Sequence, residues 1–163
     1  MKILLLLSFV WLGCNQYKDI ANQKIFTGKV IKILDGDTYD ILLDNNTTKR
    51  IRMEGIDAPE RGMAFYKSAK DYLGALCFGQ VLRVEQTSID RYGRTVAKSF
   101  LSNRNELGLL MVEAGYAWHF KKYSADAVLA NAELNAREKH LGLWVDENPV
   151  APWDKRKRSK RDE

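Results

Sequence analysis

The chain has 163 residues, of which 45% are hydrophobic and 29% are charged, which suits one modest globular domain. Ordinary glycine and proline contents and only two cysteines exclude a collagen-like chain, a low-complexity chain and a disulfide scaffold. Lys and Arg outnumber Asp and Glu by 26 to 21, and the net charge of +5 favours an anionic partner, either nucleic acid or an acidic membrane surface.

The N-terminus is typical of an export signal. One lysine precedes an apolar run over residues 3–12, which is shorter than the ~20 residues that a membrane-spanning helix needs. A glycine and Cys14 follow this run and resemble the lipobox of bacterial lipoproteins, in which the cysteine is acylated. We therefore predict a signal peptide over residues 1–13 and a polar tether over residues 14–24, with Cys14 anchoring the protein in the bacterial cell envelope. The alternative is a secreted protein, or an uncleaved anchor, in which Cys14 is incidental.

The segment that follows the tether predicts three antiparallel strands. β-branched and apolar residues alternate with turn signals that contain Gly, Asp and Asn. The strands are expected over residues 26–34, 39–43 and 49–53. Their short connections make this part of the chain a β-meander.

The rest of the domain predicts further strands and three helices, because apolar residues recur first at helical and then at strand spacing. The expected elements are a helix over residues 63–76, strands around residues 81–84 and 96–101, a helix over residues 105–114, and a helix capped by Ser124 that runs to residue 140. Cys77 follows the first helix and is expected to be a buried free thiol.

This order of elements predicts the fold class. Three strands, a helix, two strands and then helices are expected of a five-stranded Greek-key barrel with a helix inserted between its third and fourth strands. We therefore predict a mainly β fold with α-helices, an OB-fold barrel with three helices over residues 25–146. Residues 147–163 form a basic polar tail, expected either to be a solvated, disordered terminus or to bind phosphate backbones or anionic lipid.

Two carboxylates are expected to meet at one rim of this barrel. Asp37 lies at the exit of a tight turn and Asp57 lies just after the third strand, and such strand ends converge in a small barrel. Two carboxylates with a backbone carbonyl, water and a substrate phosphate supply the about six to eight oxygen ligands that Ca²⁺ takes. No imidazole or thiolate accompanies them to favour zinc, so we predict a calcium site.

Nearby side chains suit chemistry on a phosphate. Arg52 and Arg94 carry planar guanidinium groups that can each bind a phosphate through two hydrogen bonds. Their positive charge acts most strongly when negative charge builds up on phosphorus during in-line attack. Glu60 can accept a proton from the attacking water.

Three motifs in this order resemble the thermonuclease family, whose members are similar to staphylococcal nuclease. The motifs are Asp35-Gly36-Asp37-Thr38, Arg52 with Ile56-Asp57-Ala58-Pro59-Glu60, and Asp90-Arg91-Tyr92-Gly93-Arg94. Each motif alone is more often a structural turn or loop, but their joint occurrence in order favours a catalytic role. The resemblance covers about residues 25–145.

The resemblance implies Ca²⁺-dependent hydrolysis of phosphodiester bonds in DNA and RNA that leaves 3′-phosphate ends, by a monomer without an obligate protein partner. It assigns roles to residues of this chain by their place in the motifs. Asp37, Asp57 and the Ala58 carbonyl would bind Ca²⁺ with Asp35 in the outer shell, Arg52, Glu60 and Arg94 would be catalytic, and Arg91 and Tyr92 would contact the substrate phosphate.

The aromatic residue on which a base would stack is left open by the sequence. Trp118, Phe120 and Tyr123 are all candidates, but buried packing is the default for aromatic side chains and is favoured for Trp118 and for Tyr116.

Two other functions are weighed against a nuclease. His119, Lys121 and Asp126 fit the pattern of phospholipase D-type phosphodiesterases, but that chemistry needs two such histidines in one site, and His140 lacks the pattern. We therefore interpret this match as accidental. The second alternative is a non-catalytic OB-fold module that binds nucleic acid, and it is disfavoured because every carboxylate and arginine of the motifs is present.

Overall fold

The computed structural model describes residues 24–159 and residue 161. The predicted signal peptide, Cys14 and the tether up to residue 23 lie outside the described residues. The strands in chain order are β1 (Lys24–Ile33), β2 (Thr38–Leu42), β3 (Thr48–Met53), β4 (Ile56–Asp57), β5 (Val81–Ile89), β6 (Thr95–Phe100) and β7 (Trp118–His119). The helices are α1 (Tyr66–Cys77), α2 (Leu107–Glu113), α3 (Ala127–Glu138), a 3₁₀ helix (Gly142–Val145) and α4 (Pro152–Ser159).

Five strands close into a barrel in the order β1-β2-β3-β6-β5. Neighbouring strands pair antiparallel except β3 and β6, which pair in parallel with Arg52 opposite Val96. A parallel pair needs a long crossover, and here α1 and β5 supply it. The predicted five-stranded, mainly β barrel with helices is confirmed.

The barrel is filled by side chains that alternate along its strands. Tyr39, Ile41, Ile51, Leu82 and Val84 are completely buried inside it. This interior continues into a layer of helices at one end of the barrel, so a single core holds the strand ends in place.

Helix α1 packs one apolar face on this core. Ala69, Leu73 and Cys77 are its buried residues and recur at helical spacing. Cys77 is a free, buried thiol, as predicted, and burial raises its pKa to about 12. The thiol therefore stays protonated and acts as a small apolar side chain.

Helix α3 begins at a different cap from the one predicted. The prediction of Ser124 as the N-cap is wrong, because the Asp126 side chain accepts the bond from the backbone N–H of Val128 at 2.8 Å. Ser124 Oγ instead accepts from the backbone N–H of Asp126 at 3.2 Å. Ser124 thus shapes the turn that leads into the cap.

A small second sheet was not predicted from the sequence. Strands β4 and β7 pair antiparallel, with Ile56 opposite His119 and Asp57 opposite Trp118. Each strand has only two residues, which is too short to give an alternating pattern. The sheet matters because it fixes Asp57 beside the aromatic segment that follows α2.

The C-terminal segment differs from the predicted polar tail. Within the described part, α4 packs against the domain, because Ala151 is buried and Trp153 joins a cluster with Trp118 and Trp144. The basic composition of this segment gave no indication that Ala151 and Trp153, at the start of this helix, would anchor it to the domain. The helices within residues 24–159 include none long and apolar enough to cross a membrane.

Candidate active site

One cleft brings the predicted site residues together. It has a volume of about 1430 Å³ and runs over one rim of the barrel and the small second sheet. The predicted site residues that line it are Asp35, Asp37, Arg52, Asp57, Ala58, Glu60, Arg91, Tyr92 and Arg94. The three sequence motifs, which lie far apart along the chain, therefore share one site.

The turn between β1 and β2 carries the first carboxylates. Asp35 Oδ1 accepts a hydrogen bond from the backbone N–H of Asp37 at 3.0 Å, which tightens the turn. Gly36 stands between them, and a Cβ atom there would lie 2.8 Å from the Cβ atoms of both Ala58 and Ala69. Only glycine lets the turn lie this close to the site loop and to α1.

Asp37 and Asp57 converge on one guanidinium group. Arg52 Nε lies 3.3 Å from Asp37 Oδ1, and an Arg52 terminal nitrogen donates to Asp57 Oδ1 at 3.0 Å. Arg52 is itself held by β3 and by a bond of 2.7 Å to the Met53 carbonyl. Both carboxylates are almost fully buried, and the Arg52 guanidinium contacts both of them.

The oxygen atoms of these carboxylates are the kind of ligand that a hard cation prefers. Asp37 Oδ2 accepts from the backbone N–H of Ala58 at 2.7 Å, so the main chain of Ala58 lies against that carboxylate. Within residues 24–159, no group of three His, Cys, Asp or Glu side chains is placed to hold a metal ion. A Ca²⁺ ion would therefore depend on Asp37, Asp57, a main-chain oxygen, and oxygens of water or substrate.

Burial makes negative charge costly in this part of the cleft. It raises the pKa of Asp35 to about 7, and the charge of neighbouring Asp37 adds to the increase. Burial also raises the pKa of Asp57, although the bonds from Arg156 and the charge of Arg52 act in the opposite direction. Positive groups are therefore needed to hold these carboxylates ionised.

Arg94 enters the cleft from the turn between β5 and β6. Asp90 Oδ2 accepts from Arg94 Nε at 2.6 Å, and Asp90 Oδ1 accepts from the backbone N–H groups of Tyr92 and Arg94, each at 2.9 Å. Burial works against the charge of Asp90, but these bonds outweigh it and lower the Asp90 pKa. With Nε engaged, the terminal nitrogens of Arg94 are the donors that remain for a phosphate.

Arg91 and Tyr92 form the exposed tip of the same turn. Arg91 donates to the Tyr92 hydroxyl at 2.6 Å, and its guanidinium lies 4.7 Å from the centre of the Tyr92 ring. The Arg94 guanidinium lies 5.6 Å from that ring centre. The three side chains make one cationic edge on the cleft.

Glu60 lies on the loop after β4, at the mouth of the cleft. Its side chain is 40% exposed, so water can reach it. In this structure one of its carboxylate oxygens pairs with the guanidinium of Arg156, from α4. Arg156 also donates to Asp57 Oδ2 at 2.6 Å and therefore links the two carboxylates.

Arg156 is the site residue that sequence reasoning missed. It lies in the segment interpreted as a tail, and nothing in a run of lysines and arginines marks one of them as buried against acidic groups. The available signal was Trp153, because a large aromatic residue in an otherwise polar terminus indicates an anchored segment. Three residues further on, one helical turn places Arg156 over the carboxylates.

Aromatic side chains form the opposite wall. Trp118 is buried, as favoured from the sequence, and packs edge-on against Trp144 and Trp153. Phe120 stacks in parallel on Trp153, with ring centres 5.1 Å apart, and meets Tyr123 edge-on. Tyr123 is the exposed member, so it is the ring that a base can reach without a rearrangement.

Two residues of the phospholipase D-like pattern lie in different elements, His119 in β7 and Asp126 at the N-cap of α3. His119 is buried in β7, and its ring nitrogens have no hydrogen-bond partner within the described part of the chain. Asp126 caps α3 and accepts from Lys98 at 3.1 Å. This placement agrees with the interpretation of that match as accidental.

Comparison with known proteins identifies the family of this chain. Residues 50–146 match the model of the staphylococcal nuclease homologue family. The chain is 39% identical over 145 residues to a micrococcal nuclease from Shigella flexneri, with 83% of each chain covered. It is 37% identical over 157 residues to an uncharacterized endonuclease from Haemophilus influenzae, covering 96% of this chain and 84% of the relative. It is 42% identical over 108 residues to the staphylococcal-like nuclease CAN1 from Arabidopsis thaliana, covering 66% of this chain and 33% of that protein. With its barrel and the shared cleft of its three motifs, this chain belongs to the staphylococcal nuclease family.

Proposed function

We propose that this protein is a Ca²⁺-dependent nuclease that hydrolyses phosphodiester bonds in DNA and RNA and leaves 3′-phosphate ends. The observation that carries the proposal is the convergence of Asp37 and Asp57 on Arg52, in a cleft that Glu60 and Arg94 also line. Membership of a nuclease family supports the hydrolytic activity. The cation and the product ends rest on the donor chemistry and on the resemblance of the motifs.

The carboxylates of Asp37 and Asp57 and the Ala58 carbonyl would hold the ion, with Asp35 behind them. When bound, Ca²⁺ supplies a positive charge that draws a phosphate into the cleft and polarises it. The tight turn around Gly36 and the pairing of β4 with β7 fix both carboxylates beforehand. The protein therefore offers the ligands without a large rearrangement of its backbone.

Glu60 and the two arginines would act on the reacting phosphate. Glu60 takes a proton from the attacking water, and its exposure at the mouth of the cleft gives that water access. Arg52 and Arg94 donate hydrogen bonds to phosphate oxygens and stabilise the extra negative charge of the transition state. The bond to the 5′ oxygen breaks, and the phosphate stays on the 3′ side.

The outer parts of the cleft would bind the nucleic acid strand. Arg91 and Tyr92 contact a substrate phosphate from the tip of their turn, and Tyr123 offers an exposed ring for a base. Lys155 and Lys157 of α4 also line the cleft and add positive charge along the path of the backbone. These contacts are independent of sequence, which suits a nuclease that accepts both DNA and RNA.

A cleavage assay on the purified protein tests the proposed function. Single-stranded DNA and RNA are incubated with Ca²⁺ or with a chelator, and 3′-phosphate ends are identified as product 3′ ends that can be ligated to a 5′-phosphorylated adapter only after phosphatase treatment. We expect cleavage with Ca²⁺ only, and loss of cleavage in Asp57→Asn but not in Asp44→Asn, a surface carboxylate outside the cleft. Bound but uncut DNA at saturating Ca²⁺ would reject the nuclease and favour the non-catalytic binding module.

We also propose that the protein is exported and anchored by acylated Cys14. The apolar run over residues 3–12 and the glycine before Cys14 support this proposal. Mass spectrometry of the mature N-terminus should find a diacylglyceryl group on the sulfur of Cys14, with or without a third acyl chain on its α-amino group. An unmodified N-terminus at another residue would contradict the anchor without affecting the nuclease.

A further inference from the structure

We propose that Arg156 of α4 is a counter-ion that competes with the divalent cation for Asp57. Its guanidinium lies between Asp57 and Glu60 and takes up Asp57 Oδ2, an oxygen of the carboxylate that would hold the cation. Binding of the cation would then favour release of Arg156 from this carboxylate. This inference rests on the proposed function, because it concerns the cation of the same cleft.

Both oxygens of Asp57 are already engaged by arginine. Oδ1 accepts from Arg52 at 3.0 Å, and Oδ2 accepts from Arg156 at 2.6 Å. Another nitrogen of Arg156 lies 3.5 Å from Asp57 Oδ1 and pairs with Glu60. A cation that binds Asp57 therefore shares this carboxylate with two guanidinium groups whose positive charge repels it, so release of one arginine strengthens its binding.

Of the two arginines that bind Asp57, Arg156 is the one that can release it more easily. The Arg52 side chain is 12% exposed and is also tied to Asp37 and to the Met53 carbonyl. The Arg156 side chain is 39% exposed and reaches the site from a helix at the end of the described chain. Moving Arg156 toward solvent costs less than moving Arg52, since less burial is lost.

Helix α4 holds Arg156 close to the site even when its side chain swings out. Trp153 stacks on Phe120, and Lys155 Nζ donates to the Arg61 carbonyl at 3.0 Å. These anchors do not involve the carboxylates. The exchange therefore needs only a change of side-chain rotamer, and α4 stays docked.

Calcium titration of the full-length protein by calorimetry tests this proposal. Arg156→Gln removes the competing charge, so we expect it to bind Ca²⁺ about 10-fold more tightly than the wild type or better. Arg158→Gln is the matched control, because Arg158 is an exposed arginine of the same helix outside the cleft. It loses the same charge and should bind Ca²⁺ with nearly wild-type affinity. The Ca²⁺ affinity of Arg156→Lys should lie between that of the wild type and that of Arg156→Gln, since an ammonium group cannot bond to both carboxylates at once.

Thermal unfolding separates competition from a general structural role. Without Ca²⁺, Arg156→Gln should melt at a lower temperature than the wild type, because Asp57 and Glu60 lose their partner. With saturating Ca²⁺, its melting temperature should recover to the wild-type value. A deficit that persists in Ca²⁺ would mean that Arg156 is structural and would overturn the proposal, provided that circular dichroism confirms a folded variant.

The remaining outcomes are also decisive. Equal or weaker Ca²⁺ binding by Arg156→Gln, or no Ca²⁺ binding by any of these proteins, would overturn the counter-ion role. Failure of the nuclease is a separate result, because it appears as uncut DNA in the cleavage assay. If Arg156→Gln binds Ca²⁺ more tightly than the wild type but the wild type leaves DNA uncut, the counter-ion role of Arg156 would be supported and the proposed nuclease function would be rejected.

Discussion

Single side chains in this cleft are oriented by neighbours that do not themselves reach a substrate. Asp90 holds Arg94 through its Nε, and the Met53 carbonyl holds Arg52 through a terminal nitrogen. Arg94 thus keeps its terminal nitrogens for a phosphate, whereas Arg52 is held at all three of its nitrogens and offers only the remaining N–H groups of its two terminal nitrogens. This arrangement makes the shape of the guanidinium group important as well as its charge.

Arg94→Lys tests the need for that shape. A lysine keeps the positive charge but cannot bond to Asp90 and bind a phosphate through two parallel hydrogen bonds, so we expect kcat to fall about 100-fold. Steady-state kinetics with single-stranded DNA and Ca²⁺ measures the effect. Arg104→Lys, at an exposed arginine outside the cleft, is the control. A kcat within a few-fold of wild type would contradict the role given to Arg94.

For single residues, the sequence motifs identified the side chains of the cleft but not the residues that pair with them. Asp37, Asp57, Glu60 and Arg94 come together in one cleft because their motifs follow strand ends at one rim. The ion pair of Glu60 with Arg156 was not predictable, since 95 residues intervene and no pattern links them. Long-range pairs of this kind are decided by packing rather than by local spacing.

Among the elements, α3 depends on a cap that also carries an ion pair. Asp126 accepts the first N–H bond of the helix and a bond from Lys98. The bond from Lys98 is the largest cause that lowers the pKa of Asp126, and the backbone bonds of the cap add to it. The cap therefore stabilises the fold while Asp126 is ionised, and it weakens when Asp126 is protonated.

Asp126→Asn separates the charge from the cap. Asparagine caps helices nearly as well as aspartate but cannot form the ion pair, so we expect unfolding free energy to fall modestly at about pH 7. Because the folded pKa of Asp126 is lowered, its contribution is present above the unfolded pKa of about 3.9 and is lost as pH falls through the folded pKa. Urea titrations should find that the difference in stability between the two proteins narrows as the pH falls below about 3.9. A difference that is constant from neutral to acid pH would argue against the ion pair.

The sequence predicted the elements better than their ends. The strands of the barrel and α1 to α3 have enough residues to give a clear period, and all of them are present. The paired strands β4 and β7 escaped because two residues carry no period. The cap of α3 was misplaced because Ser124 and Asp126 are both good caps, and only the fold decides between them.

At the scale of the whole molecule, the segment that was expected to be a tail contains helix α4, which forms part of the cleft wall. Trp153 gives it a hold on the aromatic cluster, through a parallel stack with Phe120 and an edge contact with Trp118. Arg156 then lies over the acidic site, while Lys157 and Arg158 remain exposed to solvent. Within the described residues the prediction of a solvated tail is wrong, because net charge describes the average of a segment and not its apolar anchors.

Trp153→Ala should release α4 while leaving the barrel folded. Two aromatic contacts are lost, each worth about 0.5 to 1.5 kcal/mol, so amide exchange of α4 should speed up by about 10-fold or more. Hydrogen exchange followed by mass spectrometry measures α4 and the barrel in one experiment. Val145→Ala, at a side chain that is 66% exposed, should change neither. Unchanged protection of α4 in Trp153→Ala would mean that other contacts hold the helix.

The parallel pairing of β3 with β6 closes the barrel between Arg52, which faces Val96, and Arg94, which directly precedes β6. The two guanidinium groups expected to hold one phosphate thus come from opposite sides of the closure. A ligand bound by both arginines would link β3 to β6, and separation of these strands would break its contact with one of the two arginines. Substrate binding and integrity of the barrel would then reinforce each other.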